Sequence, residues 1–245
     1  MNVDYSIIIP AYNEENWLPV TLFALKQAMS ELDRVGELIV VDNNSTDNTA
    51  NIAIQQGASL IFEAINHISK ARNTGAVQAK GKYLIFVDAD THISPSLLKQ
   101  ALRCLESGDC IGGGTTVEFD IPLKKVTALG LLVWNWLSVK LGMAAGCFVF
   151  CRQDAFEAIG GFSEKVYASE EIWLSRQLKK LGRSQQRQFC IIRNNPAISS
   201  GRKLHWYSLG QQWLLLVMML IFPFFVRFKS LCGFWYKRPE NDQSR

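Results

Sequence analysis

The chain has 245 residues, of which 48% are apolar and 20% are charged. This balance is that of an ordinary globular protein with enough length for one closed core, and it excludes an intrinsically disordered chain. The net charge of +4 is uneven, because residues 1–200 carry nineteen basic and twenty acidic side chains whereas residues 201–245 carry seven and two. No dense basic stripe occurs, so we expect no nucleic-acid partner; the basic, apolar end favours contact with an anionic membrane surface.

The cysteines and the N-terminus indicate the cellular compartment in which the protein is expected. Six cysteines form no C-x-x-C pair and no zinc-binding spacing. The N-terminus has neither the basic region nor the apolar region of a secretion signal. We therefore expect a cytoplasmic protein, in peripheral contact with the cytoplasmic face of the membrane.

The first 87 residues alternate between short apolar runs typical of buried strands and segments with helical spacing of apolar residues. Strands are predicted at residues 5–10, 37–42, 59–63 and 83–87, and helices at residues 17–29, through Ile54, and at residues 68–79. This βαβαβαβ order requires a mainly parallel sheet with helices on both faces, which is an α/β fold. The carboxyl ends of the strands then meet at one edge, where such folds bind ligands.

Acidic residues follow two of these strands. Asp42 ends the second strand, and Asp88 and Asp90 follow the fourth strand, two positions apart. Two carboxylates at this spacing can hold a divalent cation that also binds substrate phosphates. The alternative is an Asp-rich turn that caps the next helix. Neither G-x-G-x-x-G nor the P-loop pattern occurs, so we expect a metal ion, rather than a glycine-rich loop, to offset phosphate charge.

The second half continues the alternation less regularly. A helix is predicted from Ser94, strands at residues 111–117 and 145–150, and a short helix from Asp154 to a glycine pair. The apolar stretch 126–141 is interpreted either as core or as a membrane-facing lip.

Two acids occupy the first turn of a later helix. Ser169 is its predicted N-cap, Glu170 and Glu171 follow directly, and the helix reaches Leu181. Acids at this position are favoured by the helix macrodipole alone. The functional alternative is a general base that accepts a proton from a sugar hydroxyl.

The C-terminal region differs from the rest of the chain in composition. Residues 206–226 contain no charged side chain, and residues 213–226 are apolar throughout. We predict a domain over residues 1–205 and a tail over residues 206–245 that lies on or re-enters a membrane surface. A helix that closes the core and a single membrane span are the alternatives. His67 and His92 are expected in loops.

Four motifs occur in an order that resembles family 2 glycosyltransferases. They are IIIPAYNEE at residues 7–15, VVDNNSTD at residues 40–47, ARNTG at residues 71–75 followed by the D-x-D at residues 88–90, and GGF at residues 160–162 followed by two glutamates. The resemblance covers residues 4–181. It implies a GT-A fold and transfer, with inversion, from a UDP- or GDP-sugar to a hydroxyl acceptor.

The resemblance also implies which residues bind the donor nucleotide. Pro10, Tyr12 and Glu14 match the positions that line the nucleotide pocket in this family. Asp42 matches the residue that hydrogen-bonds the base. Arg72 matches a position near the nucleotide or its diphosphate.

The same resemblance implies the metal and the base. Asp88 would lie near the ribose and the metal, Asp90 would bind Mg²⁺ or Mn²⁺, and His205 is a candidate further ligand. The family's base is usually the Asp of a Glu-Asp pair, and Glu171 takes that place here, so Glu170 and Glu171 are both candidates. The apolar segments favour a lipid or lipid-linked acceptor.

Two other functions compete with this interpretation. A nucleotide-sugar-binding protein without turnover would need the donor residues but no base. A nucleotidyltransferase would typically carry a glycine-rich, basic phosphate loop near the N-terminus, and residues 10–16 contain neither glycine nor a basic residue.

Overall fold

The computed structural model describes residues 3–206, 210 and 226–233. Within them the chain forms one eight-stranded sheet, with strands β1 Tyr5–Ala11, β2 Gly36–Asp42, β3 Ser59–Phe62, β4 Tyr83–Val87, β5 Thr91–His92, β6 Cys110–Phe119, β7 Phe148–Arg152 and β8 Gln188–Ser199. The helices are α1 Leu18–Ser30, α2 Thr49–Gln55, α3 Ile68–Gln78, α4 Pro95–Glu106, α5 Lys125–Leu141, α6 Gln153–Ala158, α7 Glu170–Ser184 and α8 Arg202–Trp206. A 3₁₀ turn follows at Lys229–Leu231. The apolar stretch predicted at residues 213–226 lies, except for its last residue, outside the described residues.

The strand order across the sheet is β3-β2-β1-β4-β7-β6-β8-β5. The first four strands of the chain run parallel, as predicted. β7 is antiparallel to both of its neighbours, β6 and β8 are parallel, and β5 is antiparallel to β8. The sheet is therefore parallel where the chain alternates regularly between strand and helix, and mixed beyond that point.

Helices cover both faces of the sheet, as the sequence predicted. Along β1, Ile7 and Ile9 point into a core that they share with α1 and α4. Ile8 points into the opposite core, which α3 and α7 complete. Because successive side chains of a strand alternate between faces, a strand buried on both sides must be apolar throughout. The loops at the strand ends are left to carry the polar groups.

The long strand β8 was not predicted. Residues 193–196 interrupt its apolar pattern with three polar residues and Pro196. The proline has no N–H to donate to a neighbouring strand. The structure accommodates these residues in an irregularity, because Ile192 pairs with Thr115 and Ala197 pairs with Val117. Four residues of β8 thus lie opposite one residue of β6. Such a bulge keeps a strand continuous where the sequence pattern indicates a break.

The predictions around β7 need correction. The strand begins at Phe148, three residues later than predicted, so residues 145–147 form a loop at the sheet edge. The following helix begins at Gln153 with Arg152 at its N-cap, so Asp154 lies in its first turn and is not, as was predicted, the residue that starts it. The strand was predicted to begin too early because buried small residues look the same in a strand and in a covered loop.

Of the two histidines expected in loops, His67 lies at the end of a loop, as predicted, whereas His92 lies in a strand, so only the prediction for His92 is wrong. His67 is the N-cap of α3, where its Nδ1 accepts a hydrogen bond from the backbone N–H of Ser69 at 3.2 Å. His92 lies in β5 and pairs with Ile198 of β8.

The apolar stretch at residues 126–141 forms the surface helix α5. Ser138 is its only fully buried residue, so the core alternative is wrong. None of the described helices is both long and apolar enough to cross a bilayer.

Candidate active site

A cavity of about 550 Å³ opens at the carboxyl ends of β1 and β4. This volume suits a small-molecule ligand, since such pockets measure roughly 300 to 1,000 Å³. Segments far apart in the sequence supply its polar lining, namely Tyr12 and Glu14 after β1, Arg72 on α3, Asp88 and Asp90 after β4, Glu170 and Glu171 at the start of α7, and Arg202 on α8. The strands explain its position, because the loops that leave their carboxyl ends converge there.

Arg72 is a buried cation of this cavity, with 1% of its surface exposed. Its Nη1 donates to Oε1 of Glu170, and its Nη2 donates to Oδ1 of Asp88 at 2.8 Å and to the carbonyl of Gly146 at 2.9 Å. The guanidinium also lies 5.1 Å from the ring centre of Phe162. Burial alone would lower the pKa of Arg72, but the nearby carboxylates, led by Asp88, outweigh burial and raise it. Arg72 therefore stays charged and joins the acid after β4 to the acid that starts α7.

Arg202 forms a second buried ion-pair cluster. Its Nη2 lies 2.7 Å from Oε1 of Glu14 and 3.0 Å from Oδ2 of Asp90. Its guanidinium is also 5.3 Å from the ring centre of Trp17 and 5.7 Å from that of Trp206, within the range of cation–π contacts. Each of the two acids that follow β4 is therefore matched with its own arginine.

The two glutamates of α7 have different surroundings. Glu170 is buried and paired with Arg72. Glu171 also lines the cavity, but within the described residues it has no ion-pair partner. Burial, together with the negative charge of Glu170, raises the pKa of Glu171 to about 8. A carboxyl group that titrates near neutral pH is suited to proton transfer.

Ser169 precedes these glutamates in an unusual conformation. It occupies the N-cap position of α7, as predicted, but its φ of +60° is left-handed and its side chain makes no capping hydrogen bond. A left-handed conformation costs a residue other than glycine roughly 1–2 kcal/mol. Ser169 is one of the residues that line the cavity.

The loop after β2 holds the loop after β1. The backbone N–H of Asn13 donates to Oγ of Ser45 at 2.9 Å, and the N–H of Thr46 donates to Oδ1 of Asn13 at 2.7 Å. The N–H of Glu14 donates to Oγ1 of Thr49 at 2.8 Å. These bonds fix the segment that carries Glu14 at the edge of the cavity.

A family model for glycosyl transferase family 2 matches residues 6–160, which is more than half of the chain. This chain belongs to glycosyl transferase family 2. Glycosyltransferase AglE of Haloferax volcanii is 27% identical over 252 residues, which cover 96% of this chain and 82% of that protein. The dolichol-phosphate mannosyltransferase of Saccharomyces cerevisiae is 30% identical over 135 residues, or 50% of this chain and 51% of the yeast enzyme. The chain spans less than three fifths of the length of several other curated relatives.

A solved structure agrees with the fold of this family 2 glycosyltransferase. The mannosyltransferase PcManGT of Pyrobaculum calidifontis, solved with GDP-Man and Mn²⁺, superimposes with a TM-score of 0.60. The match has 18% identity and covers 81% of this chain and 57% of that one. At this identity the likeness shows the fold, which is GT-A, as the resemblance implied.

The structure brings most of the predicted site residues of the glycosyltransferase to this cavity. Its lining includes Pro10, Tyr12, Glu14, Arg72, Asp88, Asp90, Glu170 and Glu171. Asp42 is buried but does not line the cavity, and its Oδ1 accepts from the N–H of Ser45 at 3.0 Å. His205 lies in α8, but its side chain is outside the described residues. The roles assigned to these residues stay predictions.

Asn43 lines the cavity and was missed in the sequence. Its Nδ2 donates to the carbonyls of Glu63 at 3.1 Å and Ile65 at 2.6 Å, and its Oδ1 accepts from the N–H of His67 at 2.9 Å. It thereby ties the end of β2 to the segment that leads into α3. In a run of turn-forming residues, no spacing distinguishes a buried anchor from an exposed turn residue.

Asp88 and Asp90 are hard oxygen donors of the kind that Mg²⁺ and Mn²⁺ prefer. Mg²⁺ is commonly held by one or two carboxylates together with substrate phosphates, so these acids fit such an ion. No group of three His, Cys, Asp or Glu side chains that could hold a metal occurs among the described residues. A cation bound here would therefore depend on substrate oxygens, and Asp90 would have to share its carboxylate with Arg202.

Proposed function

We propose that this enzyme transfers a sugar from a UDP- or GDP-sugar to a hydroxyl group of a lipid or lipid-linked acceptor. The transfer proceeds with inversion and with Mg²⁺ or Mn²⁺. The observation that carries the proposal is the presence of two separate acidic groups in one cavity, Asp88 with Asp90 on the β4 side and Glu171 on the α7 side. Inversion needs a base on the sugar face opposite the leaving group, and a cation at the leaving diphosphate needs carboxylates on the other side of the donor.

The comparisons support the substrate classes. The Pyrobaculum mannosyltransferase is described with GDP-Man and Mn²⁺, and the yeast relative is named for dolichol phosphate. These names support a nucleotide-sugar donor, a divalent cation and a lipid acceptor for this chain.

The donor nucleotide lies against Pro10, Tyr12 and Glu14 in this proposal. Asp42 recognises the base only after its carboxylate turns from the N–H of Ser45 towards the cavity, and Arg72 lies near the diphosphate. Because Arg72 is fixed by carboxylates before the donor arrives, its charge needs little reorganisation when the diphosphate develops negative charge.

Glu171 acts as the general base. Its carboxylate takes the proton of the acceptor hydroxyl while the hydroxyl oxygen forms a bond to the anomeric carbon. The bond from that carbon to the diphosphate breaks on the opposite face, and its electron pair leaves with the diphosphate. Asp88 and Asp90, with His205 as a further candidate ligand, would hold a divalent cation, which would supply Lewis-acid stabilisation of the leaving diphosphate.

The membrane assignment belongs to the same proposal. Residues 1–205 form the catalytic domain and residues 206–245 a segment that associates with the cytoplasmic face of a membrane. The charge of residues 206–245 supports this division, because five basic and two acidic side chains occur there.

The first experiment measures donor binding and turnover. We expect one UDP- or GDP-sugar to raise the melting temperature of the purified chain, more so with Mn²⁺, and to be turned over with release of the nucleotide. Asp90→Ala should abolish the Mn²⁺-dependent turnover, whereas Asp154→Ala, at an exposed acid outside the cavity, should leave it unchanged. Full Mn²⁺-dependent turnover by Asp90→Ala would rule out the role assigned to this carboxylate.

A further inference from the structure

Helix α5 presents an apolar face to solvent. The face is formed by Val126, Leu129, Leu132, Val133 and Trp136, whose exposed fractions lie between 48% and 66%. Residues 126, 129, 133 and 136 follow the spacing that places side chains on one side of a helix. A contiguous exposed apolar face on a folded domain indicates a surface that another molecule covers.

The opposite face of α5 is fixed to the domain. Nδ2 of Asn135 donates to the carbonyl of Val117 at 2.9 Å, and its Oδ1 accepts from the N–H of Val117 at 3.0 Å. Leu131 and Trp134, on the same side, line the cavity. The apolar face therefore belongs to a helix held at the mouth of the proposed active site.

The charged residues of α5 and of the sequence next to it, from residue 121 to residue 153, are all basic. Lys124 and Lys125 stand at its start and Lys140 at its end, and no acidic residue occurs between residues 121 and 153. Nζ of Lys140 lies 4.9 Å from the ring centre of Trp136, so a cation and an amphipathic ring sit together at the edge of the apolar face. Basic and aromatic residues beside an apolar face are the composition of a helix that lies in a membrane interface.

We propose that α5 docks the enzyme on an anionic lipid surface, with its exposed face in the interface and its inner face beside the path of the acceptor. This inference rests on the lipid acceptor of the proposed function and names the surface that meets the lipid. A second copy of the chain fits less well, because antiparallel α5 helices would bring lysines together without an acid to offset them. An acceptor that enters from the lipid passes Leu131 and Trp134 before it reaches Glu171.

The test measures binding of the full chain to lipid vesicles. Sedimentation with phosphatidylglycerol-containing vesicles is compared with sedimentation with phosphatidylcholine vesicles, for the native chain and for the double variant Leu129→Glu/Trp136→Glu. We expect the native chain to prefer anionic vesicles, and the double variant to lose at least about tenfold in affinity, because two charges enter the interface. The matched control is Val77→Glu, at a residue 79% exposed on α3, which should bind as the native chain does.

Other outcomes overturn the proposal. Equal vesicle binding by the double variant and the native chain would place the lipid contact elsewhere. A change of oligomeric state in the double variant alone would assign the face to a second copy. A fall in melting temperature well beyond that of Val77→Glu would assign it to the chain's own residues 206–245. Binding of a nucleotide sugar to the native chain is measured in parallel. If the native chain binds vesicles but no nucleotide sugar, the proposed function fails and the docking proposal does not.

Discussion

Glu170 and Glu171 show how the surroundings decide what a carboxylate can do. They are adjacent in the sequence and both favoured by the start of a helix. Arg72 binds Glu170, which leaves Glu171 as the carboxylate without an ion-pair partner among the described residues. The sequence left the two as equal candidates, because the partner of Glu170 lies 98 positions earlier in the chain.

The different surroundings of the two glutamates predict different effects when each is replaced by glutamine. Glu171→Gln should lower transfer by about 10²- to 10⁴-fold, the usual worth of a general base, while donor affinity is kept. Glu170→Gln should lower the free energy of unfolding by about 1–3 kcal/mol, because it removes a charged hydrogen-bond partner of buried Arg72. Turnover, donor titration and chemical denaturation of both variants check this. Unchanged transfer by Glu171→Gln would remove Glu171 as the base.

The pKa of Glu171 also predicts how stability depends on pH. Its pKa is raised from 4.5 to about 8 in the folded chain, so the folded state holds a proton that the unfolded state has released between these values. The contribution of Glu171 to stability therefore falls as pH rises from about 4.5 to 8. Relative to the native chain, Glu171→Gln should gain at most roughly 4 kcal/mol between pH 5 and pH 9, since the raised pKa lies about three units above pH 5 and one pKa unit corresponds to 1.36 kcal/mol.

Denaturation of the native chain and Glu171→Gln across this pH range measures the difference directly, because other titrating groups are common to both. A constant difference would contradict the raised pKa. In the native enzyme, kcat/KM should rise with pH through the same region, because the base must be deprotonated in the free enzyme.

At the scale of elements, one side chain of α5 makes the hydrogen bonds that a neighbouring strand would otherwise make with β6. β7 pairs with β6 only over Gly112–Gly114, so the edge of β6 is open at Val117. Asn135 fills this gap, because its amide satisfies both the N–H and the carbonyl of Val117. A helix side chain thus continues the hydrogen bonding of the sheet.

We expect Asn135→Ala to lower the free energy of unfolding by about 1–3 kcal/mol, since it leaves two backbone groups without partners. Asn51→Ala is the matched control, because Asn51 bonds only an exposed neighbour, Oδ1 of Asn48, and should cost less than about 0.5 kcal/mol. Denaturant unfolding of both variants checks the difference. If both variants lowered the free energy of unfolding equally, Asn135 would not hold the helix.

The elements that the sequence predicted best are those in which local pattern and tertiary position agree. The apolar runs of β1, β2 and β4 predict both the strands and the burial of both faces. β8 could not be predicted in this way, because its polar residues and Pro196 are accommodated only by the irregular pairing with β6. That α5 would lie on the surface was one of two alternatives, and composition alone could not decide it.

At the scale of the whole molecule, the parallel order of strands was sufficient to predict that Tyr12, Asp88 and Asp90 would share one edge. The pairing of acids with arginines could not be predicted, because it depends on how α3 and α8 pack over that edge. Asn43 was missed for a similar reason, since its hydrogen bonds reach residues that only the folded chain brings near. Asp42 was predicted from its strand end and from the resemblance, and its carboxylate turns to the N–H of Ser45 instead of the cavity.

Arg202 reaches the cavity from near the end of the described chain, whereas Glu14 and Asp90 belong to its first half. During synthesis these two carboxylates approach each other long before their shared counter-ion has left the ribosome. Until then the early segments carry mutual repulsion at the place where the donor is to bind. The nascent enzyme should consequently acquire its donor site late, after nearly the entire domain has been translated.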